Sequence, residues 1–282
     1  MRSIAVMNQK GGVGKTTTAV NLAWALAARG KKTLLIDMDP QAHASLHLGW
    51  EPDEDICSIY DVLVNDRALS EAMRAVEESP NLWIVPAHLD LAAAEVELAG
   101  VVGREFILRD KIIELKEFLH KKGDEEGFPR DFDYLLVDCP PSLGVLTINS
   151  LTTVEEIFIP LQPHYLALHG LGKLLETVSL VSRRLNQSLR VSGVLFCLYD
   201  TAVRLSAEVS GDVTEFFRHA QQGKVPWNEA RVFQTRIRKN VRLAEAPSYG
   251  KSIFLYDEKS NGAQDYAALA EEVLKMENGG NL

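Results

Sequence analysis

Residues 10–17 read Lys-Gly-Gly-Val-Gly-Lys-Thr-Thr, and a glycine run set between an apolar strand and a helix leaves few folds open. The backbone of Gly11, Gly12, Val13 and Gly14 can curl until successive N–H groups face inward, making an anion-binding concavity at the mouth of a helix. The preceding Ser3–Asn8 is a short apolar run suited to a buried parallel strand; the following segment, Thr16 to Gly30, reads as a helix with a glycine stop. In that setting Lys15 is placed to reach the outer phosphates of a nucleoside triphosphate. The Thr16 hydroxyl can complete the shell of a magnesium ion, and Thr17 can serve the inner phosphate. A chance glycine-rich turn with solvated lysines is the competing reading, and the flanking strand and helix argue against it.

The loop departs from the ordinary G-x-x-x-x-G-K-[ST] pattern, because Gln9 stands at the first glycine position and Lys10 follows it. Two lysines of one short loop repel each other unless abundant negative charge lies between them. One loop cannot easily aim both at the same phosphate tail. The simplest resolution is that Lys15 grips in cis while Lys10 reaches the phosphates of a second copy of the chain.

The loop resembles the deviant Walker A motif of the ParA/MinD superfamily of ATPases. The likeness continues in Leu34–Gly49, Tyr134–Leu151, Ile159–Leu171 and Ile237–Val273, which resemble blocks of chromosomal and plasmid ParA proteins, the Soj type in particular, in the same order. The resemblance implies an ATPase using ATP and Mg2+ that forms an ATP-dependent homodimer. It further implies nonspecific DNA binding in the dimer, slow basal hydrolysis, and a ParB-like activating protein. The expected location is cytoplasmic and nucleoid-associated.

Apolar β-branched runs near 3–8, 33–37, 82–85, 134–138, 155–160, 191–197 and 232–237 alternate with helical segments. They predict an α/β fold, a mostly parallel doubly wound sheet with helices on both faces. Ligands in such sheets sit beyond the carboxyl ends of the strands, where Gln9, Asp37, Asp138 and Pro160 fall. With 282 residues, 46% of them hydrophobic, the chain is expected to form a single P-loop domain over 1–282. Surface insertions are expected at 120–131 and 219–230, with Trp227 tucked onto the body. The first strand starts so close to Met1 that neither a signal peptide nor a leading helix-turn-helix domain is expected.

Asp37 and Asp39 end the second strand, and their alternation sends both carboxylates to one side. Asp37 is expected to bind magnesium through water. Asp39 is expected to position the water that attacks the γ-phosphate, as the resemblance also implies, since phosphoryl transfer depends mostly on placement and charge neutralisation. Capping of the helix after Pro40 is the simpler alternative for both acids. Asp138 follows four apolar residues as a Walker B acid for the magnesium shell, and Pro140 and Pro141 stiffen the turn toward Gly144.

Near the C-terminus, the resemblance implies that Asn240 contacts the adenine. Arg238, two positions earlier where the family carries proline, is the other expected nucleotide contact, and ATP is favoured over GTP. The net charge of -9 discourages polyanion binding, but Arg231, Arg236, Arg238, Lys239, Arg242 and Lys251 face only Glu245 between 231 and 251. Arg236, Lys239, Arg242 and Lys251 are the candidate DNA contacts, Arg242 by resemblance; the alternative is that these cations are solvated or pair with acids. His43 and His47 are read as surface residues, and His164 and His169 as lying near a dimer face without a catalytic role. Cys57, Cys139 and Cys197 are too few for a disulfide framework or a metal site, and the absence of C-x-x-C argues against the iron–sulfur relatives. No membrane partner is expected, since the chain closes on an acidic segment rather than a basic amphipathic helix. A MinD-like positioner at the membrane and a metabolic P-loop enzyme are the rival readings.

Overall fold

The computed structural model describes residues 1–51, 56–123, 125, 127–164 and 167–277. Eight strands form one sheet: β1 (Arg2–Val6), β2 (Thr33–Asp37), β3 (Arg74–Ala75), β4 (Leu82–Val85), β5 (Tyr134–Asp138), β6 (Glu156–Leu161), β7 (Arg190–Tyr199) and β8 (Arg231–Arg238). Their order is β3-β4-β2-β5-β1-β6-β7-β8, and every pairing is parallel except that of β3 with β4. The two-residue antiparallel β3 was not foreseen; it is too short to show alternation.

The helices of the N-terminal half are α1 (Lys15–Ala27), α2 (His43–His47), α3 (Ile59–Val64), α4 (Leu69–Ala72), α5 (Ala94–Glu97) and α6 (Ile107–Lys122). Those of the C-terminal half are α7 (Val145–Thr153), α8 (Ala167–Arg184), α9 (Arg204–Ala220), α10 (Val241–Glu245), α11 (Ile253–Tyr256) and α12 (Asn261–Glu277). Strand alternation divides the apolar residues between two cores, one on each sheet face. Ile4, Val6, Leu35, Leu136 and Phe158 pack with α1 and α12 on one face. Ala5, Leu34, Ile36, Leu135 and Val137 pack with α3, α6, α7 and α8 on the other. Both faces of the central strands are therefore covered, as parallel sheets require.

The expected insertions are partly structural. Residues 120–122 end α6, and Phe128 packs against the core and edge-on to Phe118 at 6.3 Å; Asp124 and Glu126 lie outside the described residues. At 219–230 the chain leaves α9, and Trp227 is half-buried against the core, the tucked arrangement expected of it. The backbone N–H of Val191 donates to Pro226 O at 2.8 Å, which ties this segment to the start of β7.

Candidate functional site

β1 ends at Val6, and the chain then curls through residues 8–14 into α1. Gly12 and Gly14 have φ of +70° and +93°, left-handed values that a side chain resists. A Cβ on Gly14 would lie 3.5 Å from the Cβ of Cys197, an ordinary van der Waals distance, so it is the left-handed backbone rather than crowding that calls for glycine there. Asn8 braces it: its Nδ2 donates to Pro160 O at 2.7 Å, and its Oδ1 accepts from Lys10 N–H at 3.0 Å. α1 starts without a side-chain cap or an acid in its first turn, so its N-terminal dipole end remains uncompensated.

Gly11, Gly12, Gly14, Lys15, Thr16 and Thr17 line a cleft of about 590 Å³ together with Asp39 and Pro40 from the end of β2, and Pro140, Pro141 and Ser142 after β5. Two grooves of about 570 and 580 Å³ lie elsewhere, but neither is lined by residues of this loop. The carboxyl ends of β1, β2 and β5 thus converge as the sheet predicts.

The two lysines of the loop part company. Lys15 is buried, its Nζ donating to Lys10 O at 3.2 Å, and burial lowers its pKa against the pull of Asp138 and Asp39. Lys10 is exposed and turns away: its Nζ lies 2.6 Å from His164 Nε2 and 3.5 Å from Gln162 Oε1. Burial and the Lys10 charge both lower the pKa of His164, so the neutral ring can accept from the ammonium.

Asp37 and Asp138 sit opposite each other in the β2–β5 register, both fully buried. Asp37 Oδ2 accepts from Ser45 N–H at 2.9 Å and Ser45 Oγ at 2.7 Å, and Oδ1 accepts from Asp39 N–H at 3.1 Å. Ser45 Oγ in turn accepts from Ala87 N–H at 2.9 Å. Burial pushes Asp37 up to about 6, with those hydrogen bonds opposing and the Asp39 charge adding a little. Asp37 therefore anchors the Asp39–Ser45 segment, close to the capping alternative.

Asp138 differs. Burial, then the Asp37 charge, drives its pKa well up, while Thr16 and Lys15 pull it down. Yet neither carboxylate oxygen has a partner of hydrogen-bond geometry among the described residues. An orphaned buried carboxylate beside a threonine hydroxyl and a lysine is a site short of a cation, and these donors fit a magnesium ion completed by water and phosphate. Asp39, by contrast, lines the cleft, with its Oδ1 accepting from Gln41 N–H at 3.0 Å.

The C-terminal candidates divide. Asn240 caps α10, its Oδ1 accepting from Arg242 N–H at 2.8 Å, which leaves its amide nitrogen as a donor. Arg238 is committed to Asp265, with Nη2 to Oδ1 at 2.7 Å and Nε to the same oxygen at 3.0 Å. Arg236 lies over the Tyr199 ring and donates to its hydroxyl at 2.6 Å. Lys239 and Lys251 are exposed, and Arg242 contacts Glu245 at 2.9 Å and Asp257 at 3.5 Å.

His47 overturns an expectation. It is buried rather than on the surface, because the inner side of the short α2 packs beneath the 246–249 turn and the ring is hydrogen-bonded to the Lys251 backbone. His43 is exposed and borders the cleft. Among the described residues no three His, Cys, Asp or Glu side chains are grouped to hold a metal by themselves. Cys139 is buried beside Asp138 as a core residue. Ser45, Gln162 and His164 were not assigned roles from sequence, and only the Asn8 turn before the glycines carried a local signal.

Comparison with known proteins follows the same lines. A family model described as an AAA domain matches residues 1–191. The chromosome partitioning protein ParA of Myxococcus xanthus is 42% identical over 98% of this chain and 89% of its own. The sporulation initiation inhibitor protein Soj of Bacillus subtilis is 44% identical over 96% and 97%. Among solved structures, the cobyrinic acid a,c-diamide synthase of Mycobacterium smegmatis with bound ADP and magnesium superposes with a TM-score of 0.78 and 34% identity, over 100% of this chain and 97% of that one. With a glycine-rich loop at a helix N-terminus, two strand-end carboxylates and 42–44% identity to partition proteins over nearly its whole length, the chain belongs to the ParA/Soj family of ATPases.

Proposed function

We propose that this chain is a DNA partition ATPase whose signal is its own pairing: two copies close face to face around ATP and Mg2+, the pair holds DNA without sequence preference, and hydrolysis parts them. The observation that carries this reading is the divergence of the two loop lysines, Lys15 buried in its own cleft and Lys10 outside it on an exposed face. On this reading a second copy's triphosphate takes Lys10 from His164, whose Nε2 lies 2.6 Å from the ammonium in the free chain.

The backbone N–H groups of Gly11 to Gly14 and the Lys15 ammonium hold the phosphates, with Thr17 on the inner one. The Thr16 hydroxyl and the Asp138 carboxylate would hold magnesium, and Asp37, which anchors the Ser45 segment, would contribute through water. When bound, the ion neutralises charge on the phosphate oxygens. Asp39, at the wall of the cleft, orients the attacking water and need not be a strong base. The amide nitrogen of Asn240 donates to the adenine, while Arg238, tied to Asp265, offers the base only its backbone and stem.

Arg236, Lys239, Arg242 and Lys251 face DNA, doubled in the dimer, with a ParB-like protein accelerating turnover at the nucleoid. Sequence-independent contact of this kind is micromolar and falls steeply with salt. The experiment is ATP turnover and duplex DNA retention measured together, with and without DNA and a ParB-like partner from the same cell. Retention that requires ATP, with turnover raised by the partner, supports the reading. Steady turnover with a small-molecule substrate, indifferent to DNA and partner, supports the metabolic rival; ATP-dependent sedimentation with vesicles supports the membrane one. Among the described residues no helix is long and apolar enough to cross a membrane.

A further inference from the structure

Folding changes the charge count on the basic C-terminal stretch. Along the chain, six cations between 231 and 251 face only Glu245, but the fold brings Asp257 and Asp265 against two of them. The two pairings they create differ in kind. Asp265 is buried and accepts from both the backbone N–H and the guanidinium of Arg238, which is a structural anchor. Arg242 sits in the open, with its side chain 54% exposed and held by single contacts: Nη1 to Glu245 Oε2 at 2.9 Å, Nε to Asp257 Oδ2 at 3.5 Å.

Glu245 has a second tether. The Tyr256 hydroxyl donates to the same Oε2 at 3.0 Å, and the Tyr256 ring packs against that of Tyr249 at 5.1 Å between centroids. Arg242 and Tyr256 both hold the Glu245 pKa below the usual carboxylate range, so the acid is ionised at neutral pH. If the guanidinium leaves, the tyrosine still keeps a hydrogen bond on the carboxylate. Arg242 can be exchanged while Glu245 stays in place.

We propose that Glu245 is a built-in competitor for the DNA phosphate: it occupies Arg242 in the free chain, DNA must displace it, and this sets nonspecific affinity below what the arginines alone would give. The proposal rests on the reading that Arg242 faces DNA. The physical logic is that an exposed ion pair is weak enough to exchange yet must be broken once per protomer before each phosphate contact forms. A weak surface of this sort releases DNA when the dimer parts, because one protomer carries half the contacts against the same internal competitor.

The test is duplex DNA affinity of Glu245→Gln with a non-hydrolysable ATP analogue, across a series of KCl concentrations, with ATP-dependent dimerisation measured alongside. Glu245→Gln keeps the shape of the side chain and removes its charge. Breaking an exposed pair at each protomer is expected to tighten binding about 2-fold to 25-fold at low salt, with the gain narrowing as salt rises. Asp257→Asn, at the longer contact, is expected to give a smaller gain in the same direction. Arg242→Glu separates the two ideas. If Arg242→Glu weakens binding while Glu245→Gln leaves it unchanged, the competitor is refuted and the DNA face stands. If Glu245→Gln weakens binding, Glu245 positions Arg242 and the proposal is overturned. If neither change has an effect, the DNA-face reading itself fails and the proposal falls with it.

Discussion

Asp138→Asn is expected to stabilise the chain without nucleotide and to cripple it with nucleotide. Asp138 lies fully buried opposite Asp37, with no hydrogen-bond partner for either oxygen among the described residues. Asp37, which does have partners, is already pushed up from 3.8 to about 6, so ionising it in the fold costs about 3 kcal/mol. Asp138 is driven in the same direction by burial and by Asp37. Replacing an unsatisfied buried charge by a neutral amide should therefore return about 1–3 kcal/mol, or several degrees of melting temperature, at pH 8. The sign follows from the raised pKa of Asp138: the stabilising contribution of its protonated form is fully present below the ordinary carboxylate pKa and is lost progressively as pH rises above it. The advantage of Asp138→Asn should accordingly be larger at pH 8 than at pH 5. With Mg2+ and ATP at about a hundred times the wild-type dissociation constant, the wild type gains roughly 2.7 kcal/mol and the variant little of it. Thermal melts by circular dichroism, with and without Mg·ATP at both pH values, give all four numbers. A variant less stable than wild type when unliganded at pH 8 would show that Asp138 is no burden to the free chain, and one that keeps the full Mg·ATP shift would show that Asp138 does not hold the metal.

His47 gives the opposite pH dependence. Burial lowers its pKa to about 4, so its contribution is complete above about 6.5 and is lost as pH falls through 4, up to roughly 3 kcal/mol. His47→Leu should flatten the fall of the urea midpoint between pH 6.5 and 4; an unchanged slope would show that the acid sensitivity lies elsewhere. Gly193→Ala should destabilise by about 1–3 kcal/mol, because a Cβ there would fall 2.3 Å from the Phe233 ring and 3.0 Å from Phe158, both in the core. Its urea midpoint should drop with the m-value unchanged, and a neutral result would mean that the two rings have room to move.

The parts of the fold that could be read from sequence are those whose signal is local. The glycines that curl the loop, the apolar runs ending in Asp37 and Asp138, and the alternation of strands and helices depend on residues a few positions apart. What escaped depends on contacts made across the chain. Ser45 holds Asp37 only because Ala42 turns through a left-handed φ of 53° and brings α2 back over the strand end. His47 is covered by a turn two hundred residues later, so its helix spacing from the exposed His43 gave no warning. The charge count of the basic stretch missed Asp257 and Asp265, which lie outside the 231–251 window. Nor could the sequence show that His164, 154 positions away, would receive Lys10 in the free chain.

Whether Lys10 serves a second copy of the chain is decided by sedimentation velocity of Lys10→Ala beside wild type, each with a non-hydrolysable ATP analogue and Mg2+. Wild type is expected to sediment as a dimer. Lys10→Ala is expected to remain monomeric at the same concentration while titration with a fluorescent nucleotide shows that each chain still binds, through Lys15 and the glycine loop. A Lys10→Ala protein that dimerises as the wild type does would contradict the account.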